Sequence, residues 1–467
     1  MTKKLLQKKM AISAKHWRLF DDVPQDMSTS SFEYVELRER NGVSATTSDQ
    51  LQLFEFNMND VDAYVLPSKA YLQVKCKIVK MNGDPLTAAC GLQNSGMLFR
   101  RSEYQVNGAT IESVEESHYV TLIRNLLEFS DEYADSGGSD QMWAKDTGDG
   151  QFDKNPVTLE TLTLTEASPN TWTKLTDDAT FRTNTAHNSG YVKRTDLFGG
   201  GDNTVTLRIP LRRLFGFCNL NRVSIGVRHT IRLTKYTDAS NCIITQSTTP
   251  LKVLFTDMSL WMPYLKPSFS QAAILNAQLA DSATQMLAFE HSNGYTKTFP
   301  SGSSIKWDVT TVSERVNKVI FCMLPYANIN AQDANSAVFK HNSVTNFHIK
   351  LGSFRYPNSD VFRSSFAATD KEYTRLYHEY LRCSNKLFDV NSGNVISYDS
   401  FRETYPLFTC DVRNQDENLY SPGHPVDLRI EVTMTAPGAD VHAICIVQSE
   451  REVQMDIKNR ATFLEVK

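Results

Sequence analysis

A chain of 467 residues is too long for one ordinary hydrophobic core, so two domains of roughly 200 residues each are expected. Its 41% hydrophobic and 22% charged content suits a folded chain, and a net charge of −4 excludes a polycation for nucleic acid. No apolar run approaches the ~20 residues of a membrane helix, and no apolar segment opens the chain as a secretory signal would.

Residues 1–20 carry Lys3, Lys4, Lys8, Lys9, Lys15 and Arg18, with no acid before Asp21. Leu6, Met10 and Trp17 can share a helical face. The plain reading is a solvated terminus. The functional reading is a basic arm whose Lys3, Lys4, Lys8, Lys9, Lys15, Trp17 and Arg18 contact nucleic acid or a neighbouring subunit. Strand patterns follow in FEYVELRER and LQLFEF within 31–57, and in AYLQVKCKIVK over 70–80, where Leu72, Val74, Cys76 and Ile78 alternate. The turn Asn82-Gly83-Asp84-Pro85 stops that strand. MLFRRSEYQVN over 97–107 is another strand, stopped at Asn107-Gly108. From Glu112 to Glu132 the period becomes helical, with Tyr119, Leu122, Ile123, Leu126, Leu127 and Phe129 on one face and Ser113 with Glu116 as a capping box. This predicts a crossover helix on a β-domain. Residues 133–203 are long, polar and glycine-rich, and are expected to be surface elaboration.

The stretch Asn203–Ser268 has the strongest period of two. Val205, Leu207, Ile209 and Leu211 share a parity, as do Val223, Ile225, Val227, His229, Ile231 and Leu233, and then Leu254, Met258, Leu260 and Met262. Arg208, Arg222, Arg228 and Arg232 take the opposite parity. Three successive strands without helical breaks predict an antiparallel sheet, ended by Pro263 and Pro267, which cannot donate to a ladder. Later strands are expected in Ser303–Val312, Val319–Leu324, Phe347–Leu351, TYPLFTCDV, DLRIEVTM, VHAICIVQ and EVQMDI, the last with Val453, Met455 and Ile457 inward. A second helix is expected over Lys371–Cys383, with Tyr373, Leu376, Tyr377 and Tyr380 on one face. Each half therefore reads as strands, one helix, then long strands, the pattern of two double-sheet jelly rolls.

Enzyme signatures are missing: there is no GxxxxGK[ST], GxGxxG, GxSxG or HExxH. Gly199-Gly200-Gly201 precedes a strand, so no helix dipole is available for a phosphate. His229 reads as a satisfied core histidine. His341 and His348 have no zinc spacing, and His378-Glu379 lacks a second histidine. Glu115-Glu116 reads as a helix start. The eight cysteines, Cys76, Cys90, Cys218, Cys242, Cys322, Cys383, Cys410 and Cys445, are scattered without a C-x-x-C pair, as expected of buried free thiols in a reducing compartment. No catalytic residue, cofactor site or metal site is assigned.

The ordered series LQLFEFNMNDVDAYVLPSKAYLQVKCKIVK, MLFRRSEYQVNGATIE and ESHYVTLIRNLLEF resembles major capsid proteins of the polinton/Maverick and adintovirus kind, relatives of virophage and adenovirus hexon-like double jelly-roll proteins. NKVIFCMLP, SVTNFHIKLGSFRYP, EYTRLYHEYLRC, YPLFTCDVRNQDE and VDLRIEVTMTAPGADVHAICIVQSEREVQMDIKN continue it, covering the chain from Phe32 onward. The resemblance implies an all-β fold with a few short helices: two consecutive eight-stranded jelly-roll sandwiches with long loops. The chain then divides into a basic arm over 1–30, a first jelly roll over 31–265 with an insertion at 133–203, and a second over 266–467; the arm and the insertion are read from their composition and match nothing in the resemblance. The resemblance further implies a non-enzymatic major capsid protein, assembled inside the host cell as pseudo-hexagonal homotrimers that tile an icosahedral virion shell around a DNA genome. Its partners would be itself, penton and minor capsid proteins and, non-specifically, packaged DNA, with no membrane span. A two-domain lectin-like β-sandwich and a β-sandwich hydrolase are the alternatives; the first would show convergent aromatics and carboxylates on loops, the second an acid/base pair.

Overall fold

The computed structural model describes residues 28–44, 46–47, 51–86, 90–147, 188–198, 203–236, 242–245, 249–281, 284–309, 315–329, 331–357, 362–367, 369–389, 393–413, 427–456 and 461–465. The arm candidates Lys3 to Arg18, the Gly199–Gly201 run and Ile457 lie outside the described residues.

The first half contains β1 (Thr29–Arg38), β2 (Leu53–Met58), β3 (Tyr64–Val65), β4 (Tyr71–Lys80), β5 (Cys90–Leu92), β6 (Phe99–Val106) and β7 (Ala109–Val114). Helices α1 (Ser117–Glu128), α2 (Asp131–Asp135) and α3 (Ser189–Asp196) follow, then β8 (Thr204–Pro210), α4 (Leu211–Leu214), β9 (His229–Lys235), β10 (Ile243–Thr245) and β11 (Leu251–Pro267). Helix α5 (Phe269–Asp281) leads to β12 (Thr284–Phe299), β13 (Ser304–Val309), β14 (Arg315–Pro325), β15 (Val344–Leu351) and β16 (Phe354–Tyr356). The chain continues with α6 (Thr374–Cys383), α7 (Tyr398–Glu403), β17 (Phe408–Asp411), β18 (Leu428–Met434), β19 (Val441–Asp456) and β20 (Ala461–Glu465).

Strand pairing repeats. One sheet of the first half runs β1-β11-β4-β8, and its companion runs β2-β9-β6-β7. The later strands give β12-β19-β14-β17 and β13-β18-β15-β16. Within each set of eight, in chain order, the first sheet is 1-8-3-6 and the second 2-7-4-5, which is a jelly roll made twice. The short β3, β5, β10 and β20 are additions to this frame. Aromatics close each sandwich: Phe54 of β2 meets Phe255 of β11 at 5.1 Å, and Phe321 of β14 stacks on Phe347 of β15 at 6.0 Å. Both helical crossovers leave from the same place, after the fifth strand of the eight.

The alternating segments behave as their period dictates. Leu72, Val74, Cys76 and Ile78 are buried in β4, and Leu428, Ile430, Val432 and Met434 in β18. The Asn107-Gly108 turn takes positive φ at both residues (50° and 83°), the geometry of a tight hairpin between β6 and β7.

Several expectations are corrected. The three strands of Asn203–Ser268 are not neighbours: β8 and β11 both flank β4, while β9 lies in the other sheet. Jelly-roll crossovers separate consecutive strands. The alternation over 223–228 is not a strand. Val223 is exposed, Ile225 half-buried and Ser224 buried, and Val65 and Ser224 exchange backbone hydrogen bonds as an isolated bridge. In β11 a bulge between Phe255 and Asp257 inverts the parity, so Val253 and Phe255 face inward before it and Met258, Leu260 and Met262 after it, leaving Leu254 half-buried. Pro263 does not end this strand, which runs to Pro267 beside β1. Helix α1 begins only at Ser117. Ser113 is still in β7, and the cap residue Glu116 has φ 48° and makes no side-chain cap bond. The ends of 133–203 are interior structure, since Met142, Trp143 and Tyr191 are buried; residues 148–187 lie outside the described residues. Helix α5 and the 16-residue β12 were not expected, and VHAICIVQ and EVQMDI form one strand, β19.

The register of β9 is testable. Ile231 is 1% exposed and Val223 40% exposed. Ile231→Ala is expected to cost about 2–5 kcal/mol, and Val223→Ala to stay within about 0.5 kcal/mol. Melting the two variants side by side checks it; equal effects would place the chain in another register.

Candidate functional site

The polar groups that sequence patterning left unassigned gather where the two sandwiches meet. Glu112 lies in β7 next to a bulge that turns both it and Ile111 inward. Its carboxylate accepts the backbone N–H of Gly216 (2.8 Å) and of Phe217 (2.9 Å). From the second sandwich, His291 of β12 brings Nδ1 to 3.1 Å from Oε1. A carboxylate only accepts, so Nδ1 carries the proton. Burial alone would push the Glu112 carboxyl up; the His291 hydrogen bond and the N–H groups of Phe217 and Gly216 outweigh it and hold the carboxyl below its ordinary value. Backbone approach at this joint is close. A Cβ on Gly216 would collide with the carbonyl oxygen of Glu290, and one on Gly294 would stand 2.9 Å from the carbonyl oxygen of Glu115. Asn293 Oδ1 accepts the Glu115 N–H at 2.8 Å, and Phe217 packs edge-on against Phe289 at 5.6 Å.

Two more joints tie the crossovers together. Arg194 of α3 and Asp146 are both buried, with Nη2 donating to Oδ1 at 2.6 Å. Asn188 Nδ2 donates to the same oxygen at 2.8 Å, and the Asp146 N–H donates to the Tyr405 hydroxyl at 2.9 Å. Removing one partner of such a buried pair leaves the other uncompensated. Tyr380 of α6 donates to the Leu126 carbonyl of α1 at 2.7 Å, so the equivalent helices of the two repeats touch. Arg124 of α1 donates to the carbonyls of Arg212 and Arg213, while Arg213 pairs with Glu128 and lies 4.7 Å over the Phe129 ring. Beside these groups opens a cleft of about 520 Å³, lined from both halves.

The residues singled out from sequence mostly serve the core. His229 is buried between the Tyr104 hydroxyl (3.0 Å) and Ser224 Oγ (3.1 Å), and burial pulls its pKa down to about 4. His341 stacks on Phe366 at 4.5 Å, and His348 pairs with Glu431 at 2.7 Å. His378 lies 3.6 Å from Glu379. Glu115 pairs with Arg101 at 2.8 Å rather than with a helix start. Among the described residues no cluster of His, Cys, Asp or Glu has the makings of a metal site, and no helix is long and apolar enough to cross a membrane. All eight cysteines are buried and free, and burial pushes the Cys76 and Cys90 thiols up to about 12. Sequence reading missed Glu112, Asp146, Arg194 and His291. The one available signal was at Glu112, a carboxylate between Ile111 and Val114 in a strand; Asp146, outside helix and strand, and Arg194 and His291, among polar neighbours, offered none.

Residues 170–453 match the family model of the double jelly roll-like domain. No curated protein matches the chain significantly. Among solved structures, one from the Sputnik virophage, determined by cryo-electron microscopy, aligns with 97% of this chain and 92% of its own, at 12% identity and a TM-score of 0.58. The mavirus major capsid protein aligns over 97% and 94%, at 11% identity and 0.53. The Faustovirus major capsid protein aligns over 97% and 98%, at 10% identity and 0.51. At such identities the shared property is the fold.

The Glu112 joint carries a pH signature. A carboxyl held below its ordinary value stabilises the fold fully above the unfolded value of 4.5 and loses that contribution as pH falls through the folded value. Glu112→Gln is therefore expected to lower the melting point at neutral pH, with the gap to the unmodified chain closing as pH falls below 4.5 and through the lowered value of the folded state. A gap that stays constant over that range would refute the assignment. Gly216→Ala should cost about 1–3 kcal/mol at every pH, because it acts by overpacking.

Proposed function

Because the chain belongs to the double jelly-roll-like domain family, we propose that it is a major capsid protein, a structural and not a catalytic component of a virion. The observation that carries this reading is the pair of eight-stranded sandwiches with one strand order, locked by buried joints. Such a body is stiff, and two equivalent wedges in one chain let a threefold assembly fill sixfold lattice positions. On this reading the units are the arm 1–30, a first jelly roll over 31–265 and a second over 266–467. Three chains close into a pseudo-hexagonal homotrimer, and trimers, with penton and minor capsid proteins, tile an icosahedral shell around a DNA genome inside the host cell. Cyclic closure is finite, while trimer flanks make lattice contacts.

Helix α5 supplies a surface for a second copy of the chain. From Phe269 to Ala280 it has no charged side chain, and Phe269 is 93% exposed with Ile274 and Ala277 also outward. A helix of this length is marginal alone in water, so an uncharged, half-uncovered one calls for a partner. The edge of β1 that no described strand pairs, with exposed Phe32 and Tyr34, runs up to it, because the Ser268 N–H donates to the Ser28 carbonyl at 2.8 Å. The basic side chains of the arm, Lys3, Lys4, Lys8, Lys9, Lys15 and Arg18, face the shell interior and neutralise phosphates without sequence preference, with Trp17 on a neighbouring subunit.

Sedimentation and electron microscopy of the purified chain test the function: trimers and closed shells are expected, and a monomer that never assembles would favour the lectin-like alternative. Phe269→Ser with Ile274→Ser should reduce assembly while leaving the monomer's melting point within about 2 °C, since neither side chain is core. Deleting residues 1–20 should leave trimers intact and weaken salt-sensitive DNA retention. Loss of shells in the absence of DNA would instead make the arm a subunit clamp.

A further inference from the structure

The cleft at the seam holds an anomaly that the capsid reading does not use. Lys318, in β14, is 6% exposed and lines this cleft. Its ion-pair partner among the described residues is Glu290, whose Oε1 is 3.9 Å from Nζ, beyond hydrogen-bonding distance. The stem of Lys318 is thus packed while its ammonium opens on the cleft, and an ammonium held at a largely buried position favours an anionic acceptor. Its cross-strand neighbour Asp411 does not serve, since that carboxylate is held by Arg413 at 2.5 Å.

On the other side Lys318 pairs in register with Gln448 of β19, which pairs in turn with Ser292 of β12. Three adjacent strands thus place Ser292, Gln448 and Lys318 in a row along the cleft wall. Gln448 is 4% exposed; its Nε2 donates to Ser292 Oγ at 3.2 Å, and its Oε1 is buried without a partner. Among the described residues, a cation without a hydrogen-bond acceptor therefore sits beside an acceptor without a donor. Across the cleft the first half contributes Lys69, Arg124 and Arg212 against Glu128, and Glu128 is already neutralised by Arg213 and Arg124. The cleft is net positive.

We propose that this cleft binds a small phosphate-class anion that also carries an O–H, with its charged oxygens on Lys318 and its hydroxyl donated to Gln448 Oε1. Hydrogen phosphate meets both demands with one group; a nucleoside monophosphate meets them with its phosphate and a ribose hydroxyl, and about 520 Å³ accommodates either. Sulfate at neutral pH supplies the charge but no proton. Because the lining comes from both sandwiches, the bound anion bridges them and resists their separation. This site is independent of the capsid reading and survives if the chain never assembles.

The test uses the full-length chain. Phosphorus NMR and calorimetric titration with inorganic phosphate and with a nucleoside monophosphate should show saturable binding, and phosphate should raise the melting point to a plateau. Sulfate at matched ionic strength should give only the unsaturating rise common to excluded salts. Lys318→Gln should weaken phosphate binding by roughly tenfold or more, the worth of one charge-assisted hydrogen bond. Arg212→Gln, an exposed change that leaves the fold intact, should weaken it less. Tighter binding of the monophosphate than of phosphate identifies a nucleotide as the occupant, and equal binding identifies the free anion. Absence of saturable binding to the unmodified chain, or equal effects of phosphate and sulfate in both variants, would overturn the site and leave the cleft to water.

Discussion

A carboxylate shut away from water has to be answered by several donors at once, and in this protein the donors of Glu112 come from two sandwiches. Gly216 and Phe217 supply backbone N–H groups and His291 a ring N–H. None of the three can move without stranding a charge, so the desolvation cost that would make Glu112 unfavourable alone becomes a constraint on geometry. Glycine at 216 follows from it, because the backbone of β12 passes too close for any Cβ. So does the placing of Asn293 and Gly294 against Glu115. The angle between the two jelly rolls is set by chemistry that an apolar interface would leave loose.

The same logic recurs where the crossovers meet. Each jelly roll leaves its fifth strand into helices, and these connections pack on one another through Tyr380 and Leu126 and through Asp146 with Tyr405. Loops on most sandwiches run over water. Here both ends of a long insertion are drawn inside, and Arg194 is tolerated there because Asp146 and the Ala144 carbonyl accept its hydrogen bonds.

What was legible in the sequence was whatever repeats with a short period. Strands β4, β8, β15 and β18 alternate cleanly and stand where the pattern puts them, and α6 shows its apolar stripe. The parity of β11 could not be followed, because one extra residue at a bulge inverts every side chain beyond it. Residues 223–228 alternate as a strand would, yet the chain there bends to bridge Val65, a tertiary contact that no local pattern encodes. Strand β12 was hidden because its polar residues, among them His291, Ser292 and Asn293, face the neighbouring sandwich and blur the period. The partners at the seam were the least legible, with Glu112 and His291 separated by 179 positions. The resemblance to capsid proteins reached the fold by another route, through the order of segments, and it carried nothing about these joints.

The eight cysteines have a consequence for how the chain meets oxidants. At seven of them, Cys242 aside, burial disfavours the thiolate, the form that attacks disulfides and oxidants. A chain folded around such sulfurs meets a change of redox surroundings without changing its covalent structure, with neither cross-links to gain nor wrong ones to make. Its durability is then entirely non-covalent, and so reversible. The silent thiols also act as a clock, since a sulfur that reacts with an alkylating reagent dates the moment its sandwich came open.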